Sequence, residues 1–95
     1  MKAPENLTIW KYPLSCSGNV IKLPKEHQIL SVQIQNKEPV VWILQDPTMD
    51  NLSDVIIHIV GTGQSIPKNI MLEFIDTFQL NEGLLVFHVF KELSK

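Results

Sequence analysis

Short apolar runs alternate with clusters of Pro, Gly, Asn and Asp along this chain of 95 residues. Such spacing marks a succession of short strands. The clearest stretch is 28–35, where Leu30, Val32 and Ile34 alternate with Ser31, Gln33 and Gln35. A period of two puts the first set on one face of a strand and the second on the other. Read this way, the pattern predicts seven strands, at about 7–14, 19–23, 28–35, 39–45, 55–60, 70–80 and 84–90. Within 70–80, Phe74, Asp76 and Phe78 alternate with Ile75 and Thr77, and Asp76 reads as an outward-facing polar position. No segment carries a sustained 3.6-residue apolar stripe.

The breaks between runs have turn chemistry. Asn36-Lys37-Glu38 and Asn81-Glu82-Gly83 read as hairpin connections. Pro39 has no amide to donate and suits the first position of a strand. The stretch 46–54 is the most polar and is expected to be a surface loop with Asp46, Asp50 and Asp54 solvated. A second loop, 64–69, contains Pro67. The expected fold is one all-β domain over 1–95, a compact sandwich or barrel-like sheet of about seven short strands, with 1–6 and 91–95 as frayed tails.

Composition supports strands and narrows the partners. Ile and Val are abundant while Ala occurs once, at Ala3, and β-branched side chains favour the pleated surface. All eight cationic residues are Lys, scattered from Lys2 to Lys95, and the net charge is only −2. Arg is the usual reader of phosphate and guanine, so its absence argues against a sequence-reading nucleic-acid protein. Apolar runs fall well short of the ~20 residues that span a bilayer, so no membrane partner is expected. Cys16 is the single cysteine. A lone thiol without a secretory leader points to a reducing compartment, the cytoplasm.

Familiar catalytic patterns are missing. The serines, Ser15, Ser17, Ser31, Ser53 and Ser65, and Cys16 stand in no nucleophile-elbow setting. His58 and His88 lie inside strands without further ligands at metal spacing, and His27 reads as a solvated turn residue. His88 is either a satisfied strand side chain or a polar group directed into a pocket. No cofactor or metal is expected. Gly61-Thr62-Gly63 follows a strand directly. Its plain reading is a tight strand-end turn; its functional reading is a phosphate cradle of backbone amides and the Thr62 hydroxyl. Trp10 and Tyr12 share one face of their strand, and Trp42 lies on the face opposite Val41 and Ile43. Rings beside the amides of Gln33, Gln35, Gln45 and Gln79 suit a nucleobase, while core packing is the commoner fate of a Trp, expected for at least one of the two.

Several blocks carry a resemblance: Thr8-Ile9-Trp10-Lys11-Tyr12-Pro13-Leu14, Ile29-Leu30-Ser31-Val32-Gln33-Ile34-Gln35-Asn36, Pro39-Val40-Val41-Trp42, Asp46-Pro47, Ile59-Val60-Gly61-Thr62-Gly63-Gln64-Ser65-Ile66-Pro67, Thr77-Phe78-Gln79-Leu80 and Leu85-Val86-Phe87-His88-Val89-Phe90. In order and spacing they resemble a widespread family of short phage and prophage proteins catalogued as a domain of unknown function. Beyond the family pattern lie 1–7 and 91–95. The resemblance implies a compact β domain. It also implies overlap with phage anti-defence sponges, oligomeric proteins that sequester the cyclic oligonucleotide signals of bacterial immunity. On that reading the ligand is a cyclic dinucleotide or related signal and the protein a homo-oligomer. The binding residues would come from Trp10, Lys11, Tyr12, Gln33, Trp42, Gly61, Thr62, Gly63, Gln79 and His88. The competing expectations are a phage protein-interaction or structural module without a nucleotide, and a small hydrolase using His58 or His88 as base.

Overall fold

The structure is a computed structural model, described for residues 6–93. Among these residues seven strands form two antiparallel sheets: β1 (Thr8–Pro13), β2 (Asn19–Pro24), β3 (Gln28–Gln35), β4 (Glu38–Gln45), β5 (Leu52–Gly61), β6 (Leu72–Leu80) and β7 (Leu85–Glu92). The strand order is β1-β4-β3 in one sheet and β2-β5-β7-β6 in the other. No helix among the described residues is long and apolar enough to cross a membrane.

The sheets close on a shared core. Val41 and Ile43 of β4, Leu23 of β2, Ile57 of β5 and Val89 of β7 are fully buried, with Val32 and Phe78 beside them. Burial of this set removes the alternating apolar face of each strand from water, the main force holding two sheets together. Two-residue turn geometry closes the β3–β4 hairpin, where Asn36 and Lys37 both take positive φ, as a primed turn requires. Asn81 and Glu82 do the same before Gly83 in the short 3-10 turn ahead of β7.

Two β-bulges alter the faces expected from strict alternation. In β3 the register shifts between Ile29 and Ser31. Ile29 lies opposite Ile43 and Val32 opposite Val41, so these residues, three apart, both face the core, while Leu30 is left 42% exposed. Leu30 therefore does not share an inner stripe with Val32. In β6 the shift falls between Phe74 and Asp76. Phe74 is turned outward, and Asp76 stands opposite the buried Val89 on the inner side. An extra residue in one strand produces this reversal.

Asp76 is thus a correction to the outward reading. Its Oδ2 accepts the Val32 amide at 3.0 Å and its Oδ1 the Thr77 amide at 2.9 Å. β3 and β6 lie side by side without a shared ladder, and this carboxylate ties the seam between them. A hydrogen bond to a charged group is worth about 1.5–3 kcal/mol. On either side of Asp76 the seam opens into clefts. One of about 310 Å³ lies between Ile29–Leu30 and Phe74–Ile75, the other of about 430 Å³ between Ile34 and Gln79–Leu80.

Other expectations change as well. The polar stretch is not uniformly solvated: Asp46 is 2% exposed and accepts from the amides of Asn6 and Thr48. Residues 52–54 belong to β5, where Asp54 meets Lys22 of β2 at 2.8 Å. His27 is half-buried; its Nδ1 donates to the Pro24 carbonyl at 2.7 Å. At the C-terminal side, Lys91 and Glu92 are part of β7, and the Leu93 amide donates to Met71 at 2.8 Å. β5 and β6, on either side of β7, extend far enough to hold them. The remainder of the expected tails, 1–5 and 94–95, lies outside the described residues.

Candidate functional site

Directly opposed residues of paired strands share a face, which assigns every sequence-predicted site residue to a place. On β1, Trp10 lies opposite the buried Ile43 and Tyr12 opposite Val41, so both point to the inner side. Lys11 lies opposite Trp42, which lies opposite Ser31 on β3. Lys11, Trp42, Ser31 and Gln33 therefore occupy the outer face of the three-stranded sheet. Gln79 and His88 project from the outer face of the four-stranded sheet, and Gly61, Thr62 and Gly63 form the turn at its end. The ten residues are therefore spread over an inner edge and two opposite outer faces.

Neither tryptophan belongs to the core. Trp10 is 46% exposed and Trp42 half-buried. Trp10 sits on the outermost strand of its sheet, so it has neighbours on one side only. Trp42 is on the central strand but on the outer surface, flanked by Leu44 and Val40 two residues away on the same face.

The outer face of the four-stranded sheet is occupied by its own contacts. His88 Nε2 is 2.8 Å from Thr62 Oγ1, and His88 Nδ1 is 3.0 Å from Thr77 Oγ1. The Thr62 hydroxyl donates to the Val86 carbonyl at 3.3 Å. That leaves it to accept from Nε2–H, while Thr77 donates to Nδ1. Farther along, His58 pairs with Glu92 at 2.9 Å, and Phe74 meets Phe90 edge-on with ring centroids 5.7 Å apart. These polar side chains already have partners within the fold.

The Gly-Thr-Gly turn is likewise closed. The Gly61 amide donates to Gln64 Oε1 at 2.7 Å, the Thr62 amide to the Val86 carbonyl at 3.0 Å, and the Gln64 amide to the Gly61 carbonyl at 3.0 Å. Gly63 has φ +90°, a conformation that explains its glycine. The plain turn reading accounts for this geometry, because the Gly61, Thr62 and Gln64 amides are directed at the protein itself. An open cleft of about 410 Å³ beside the turn is lined largely by Leu84, Leu85, Val86 and Phe87.

The outer face of the three-stranded sheet differs. Lys11 Nζ donates to Gln35 Oε1. The side chains of Trp42, Ser31 and Gln33 make no hydrogen bond to any described residue. A partly exposed indole is therefore set in a row between a lysine and a hydroxyl, with the Gln33 amide diagonal to it and Gln35 two residues farther along β3. Indole and amides present the stacking surface and the edge-reading groups that a planar polar ligand requires, and Lys11 supplies the positive charge. Ser31 was not among the expected site residues; the two-residue hairpin turn sets its position opposite Trp42, on the turn side of the Leu30 bulge. Gln45 is removed from the candidates, since it is buried and donates to the Tyr12 hydroxyl.

Among the described residues, no group of three or more His, Cys, Asp or Glu side chains is placed to hold a metal ion. Cys16 is exposed and free. No curated protein and no solved structure matches the chain. A family model does match, over residues 5–95, and the chain belongs to that family, described as a domain of unknown function (DUF7352).

Proposed function

We propose that this protein is a non-catalytic binder that sequesters a cyclic di- or oligonucleotide immune signal in the bacterial cytoplasm, as a phage counter-defence sponge. The observation that carries the reading is the open face around Trp42. Its partly exposed ring stands between Lys11 and Ser31, with Gln33 and Gln35 along the same face. Stacking on an aromatic ring contributes about 1–3 kcal/mol per base, and the amides can read a base edge. Phosphate would fall to Lys11, since the Gly61 and Thr62 amides are engaged within the turn. A sponge needs affinity and copy number, and no reacting group.

The test is capture and release. The protein, in excess over a panel of cyclic di- and trinucleotides, is removed by filtration, and the retained fraction is heated. Nucleotide that disappears and returns intact supports sequestration. Altered nucleotide would mean catalysis, and undepleted nucleotide throughout the panel would end the nucleotide reading.

A second reading is favoured by the exposed apolar side chains, among them Ile9 at 55%, Phe74 at 57% and Leu84 at 84%. These suit a phage protein-interaction or structural module that docks by surface contact. Undepleted nucleotide together with saturable binding of a purified host protein, lost in Phe74→Ser, would establish it.

A further inference from the structure

We infer that β1 is a self-pairing edge, on which β1 of a second copy of this chain adds antiparallel to make one continuous six-stranded sheet across a two-fold axis. Among the described residues, β1 is paired with β4 on one side and with nothing on the other. Its outward amides and carbonyls form an open template for a strand. The other free edge of the structure, β2, likewise carries a lysine and ends on a proline, but it exposes a single large apolar side chain, Val20 at 63%. β1 has no bulge and no ion pair. It is apolar on both faces, with Leu7 56%, Ile9 55% and Trp10 46% exposed. Lys11 and Pro13 are the residues that could blunt this edge, and Lys11 is drawn across the outer face to Gln35.

The occupant is a second copy because β1 is complementary to itself. With the axis at Trp10, the opposed pairs are Trp10 with Trp10, Ile9 with Lys11, Thr8 with Tyr12, and Leu7 with Pro13. No two lysines face each other, and the Lys11 stem covers Ile9. An aromatic pair at the centre is among the more favourable cross-strand pairs. Pro13 has no amide, so it ends the ladder where the strand ends. Leu7, Ile9 and Trp10, each about half exposed, supply the apolar part of the ~800 Å² that each partner contributes to a standard interface. The remainder comes from the main chain and from Thr8, Lys11 and Tyr12.

Such pairing has a consequence for the Trp42 face. The axis is perpendicular to the sheet, so both Trp42 rings stand on the same side of it, about 15 Å apart from strand spacing and rise. A two-fold symmetric ligand would meet two equivalent halves. The pairing itself does not depend on the nucleotide reading and is tested without nucleotide.

Sedimentation equilibrium of the full chain is expected to give a mass near twice 10.9 kDa. Trp10→Lys places two charges at the axis and is expected to weaken the dimer at least about thirtyfold, with the β-sheet circular dichroism unchanged. Val20→Lys, on the β2 edge, is expected to leave the dimer intact. In a Cys16→Ser background, Trp10→Cys should cross-link under mild oxidation and Val20→Cys should not. A monomer at all concentrations up to about 1 mM, a dimer indifferent to Trp10→Lys, or failure of the Trp10→Cys cross-link would each overturn the inference.

Discussion

The two outer faces of this sandwich are built from the same kinds of residue and differ in what those residues have left to offer. On the four-stranded sheet, His88 is held at both ring nitrogens by Thr62 and Thr77, His58 by Glu92, and Phe74 by Phe90. On the three-stranded sheet, the side chains of Trp42, Ser31 and Gln33 make no hydrogen bond within the described fold. A histidine inside a strand draws the eye as a functional group, yet its hydrogen-bonding capacity is already used. The less conspicuous row around Trp42 has its capacity in hand. Which residue is chemically versatile thus matters less than which one is unspent.

That contrast can be broken most severely at the seam that holds the faces on one body. Asp76→Ala removes the acceptor of the Val32 and Thr77 amides and is expected to destabilise the fold by about 3 kcal/mol in urea denaturation. Asp76→Asn, which keeps one acceptor, should recover a good part of it. A cost below about 1 kcal/mol for the alanine variant would mean that the carboxylate does not tie the sheets.

The faces themselves come next. Trp42→Ala should lower nucleotide capture by about 1–3 kcal/mol, up to a hundredfold in affinity, with only a small change in melting temperature. His88→Ala should behave in the opposite way. Loss of two hydrogen bonds between partly exposed groups should cost about 1–2 kcal/mol of stability and leave capture as it was. If capture instead follows His88 and ignores Trp42, the assignment of the two faces is reversed. At the small end, Lys22→Ala removes an ion pair exposed to solvent on both sides. Thermal denaturation should register no more than about 0.5 kcal/mol.

Much of the fold was legible in the chain because strands write a period of two and turns have a restricted vocabulary. β3 begins and ends where Gln28 and Gln35 predict, and Asn36-Lys37 and Asn81-Glu82 sit at the positive-φ positions of their connections. The bulges were not legible. Leu30 and Ile75 are ordinary strand residues, and their extra place in the register arises from pairing between distant segments. The outward turn of Leu30 and Phe74 follows from them, whereas Asp76 and Ser31 lie on the hairpin side of each shift, in the register that the turns set. Asp46 was misread because a polar residue in a polar stretch carries no sign of burial; the Asn6 amide that it accepts is 40 positions away. For the site, residue types were legible and their grouping was not. Lys11 and Trp42 are neighbours through strand pairing, while Thr62 and His88 meet on the other side of the molecule.

Whether a ligand is taken on the Trp42 face is tested most directly by a two-dimensional 1H–15N correlation spectrum recorded during titration with a captured cyclic nucleotide. Shifts are expected on the Trp42 indole N–H, the Gln33 and Gln35 side-chain amides and the backbone of β1 and β4 around Lys11. Shifts concentrated instead on Gly61, Thr62, Gln64 and the His88 ring, with the Trp42 indole unmoved, would contradict binding on that face.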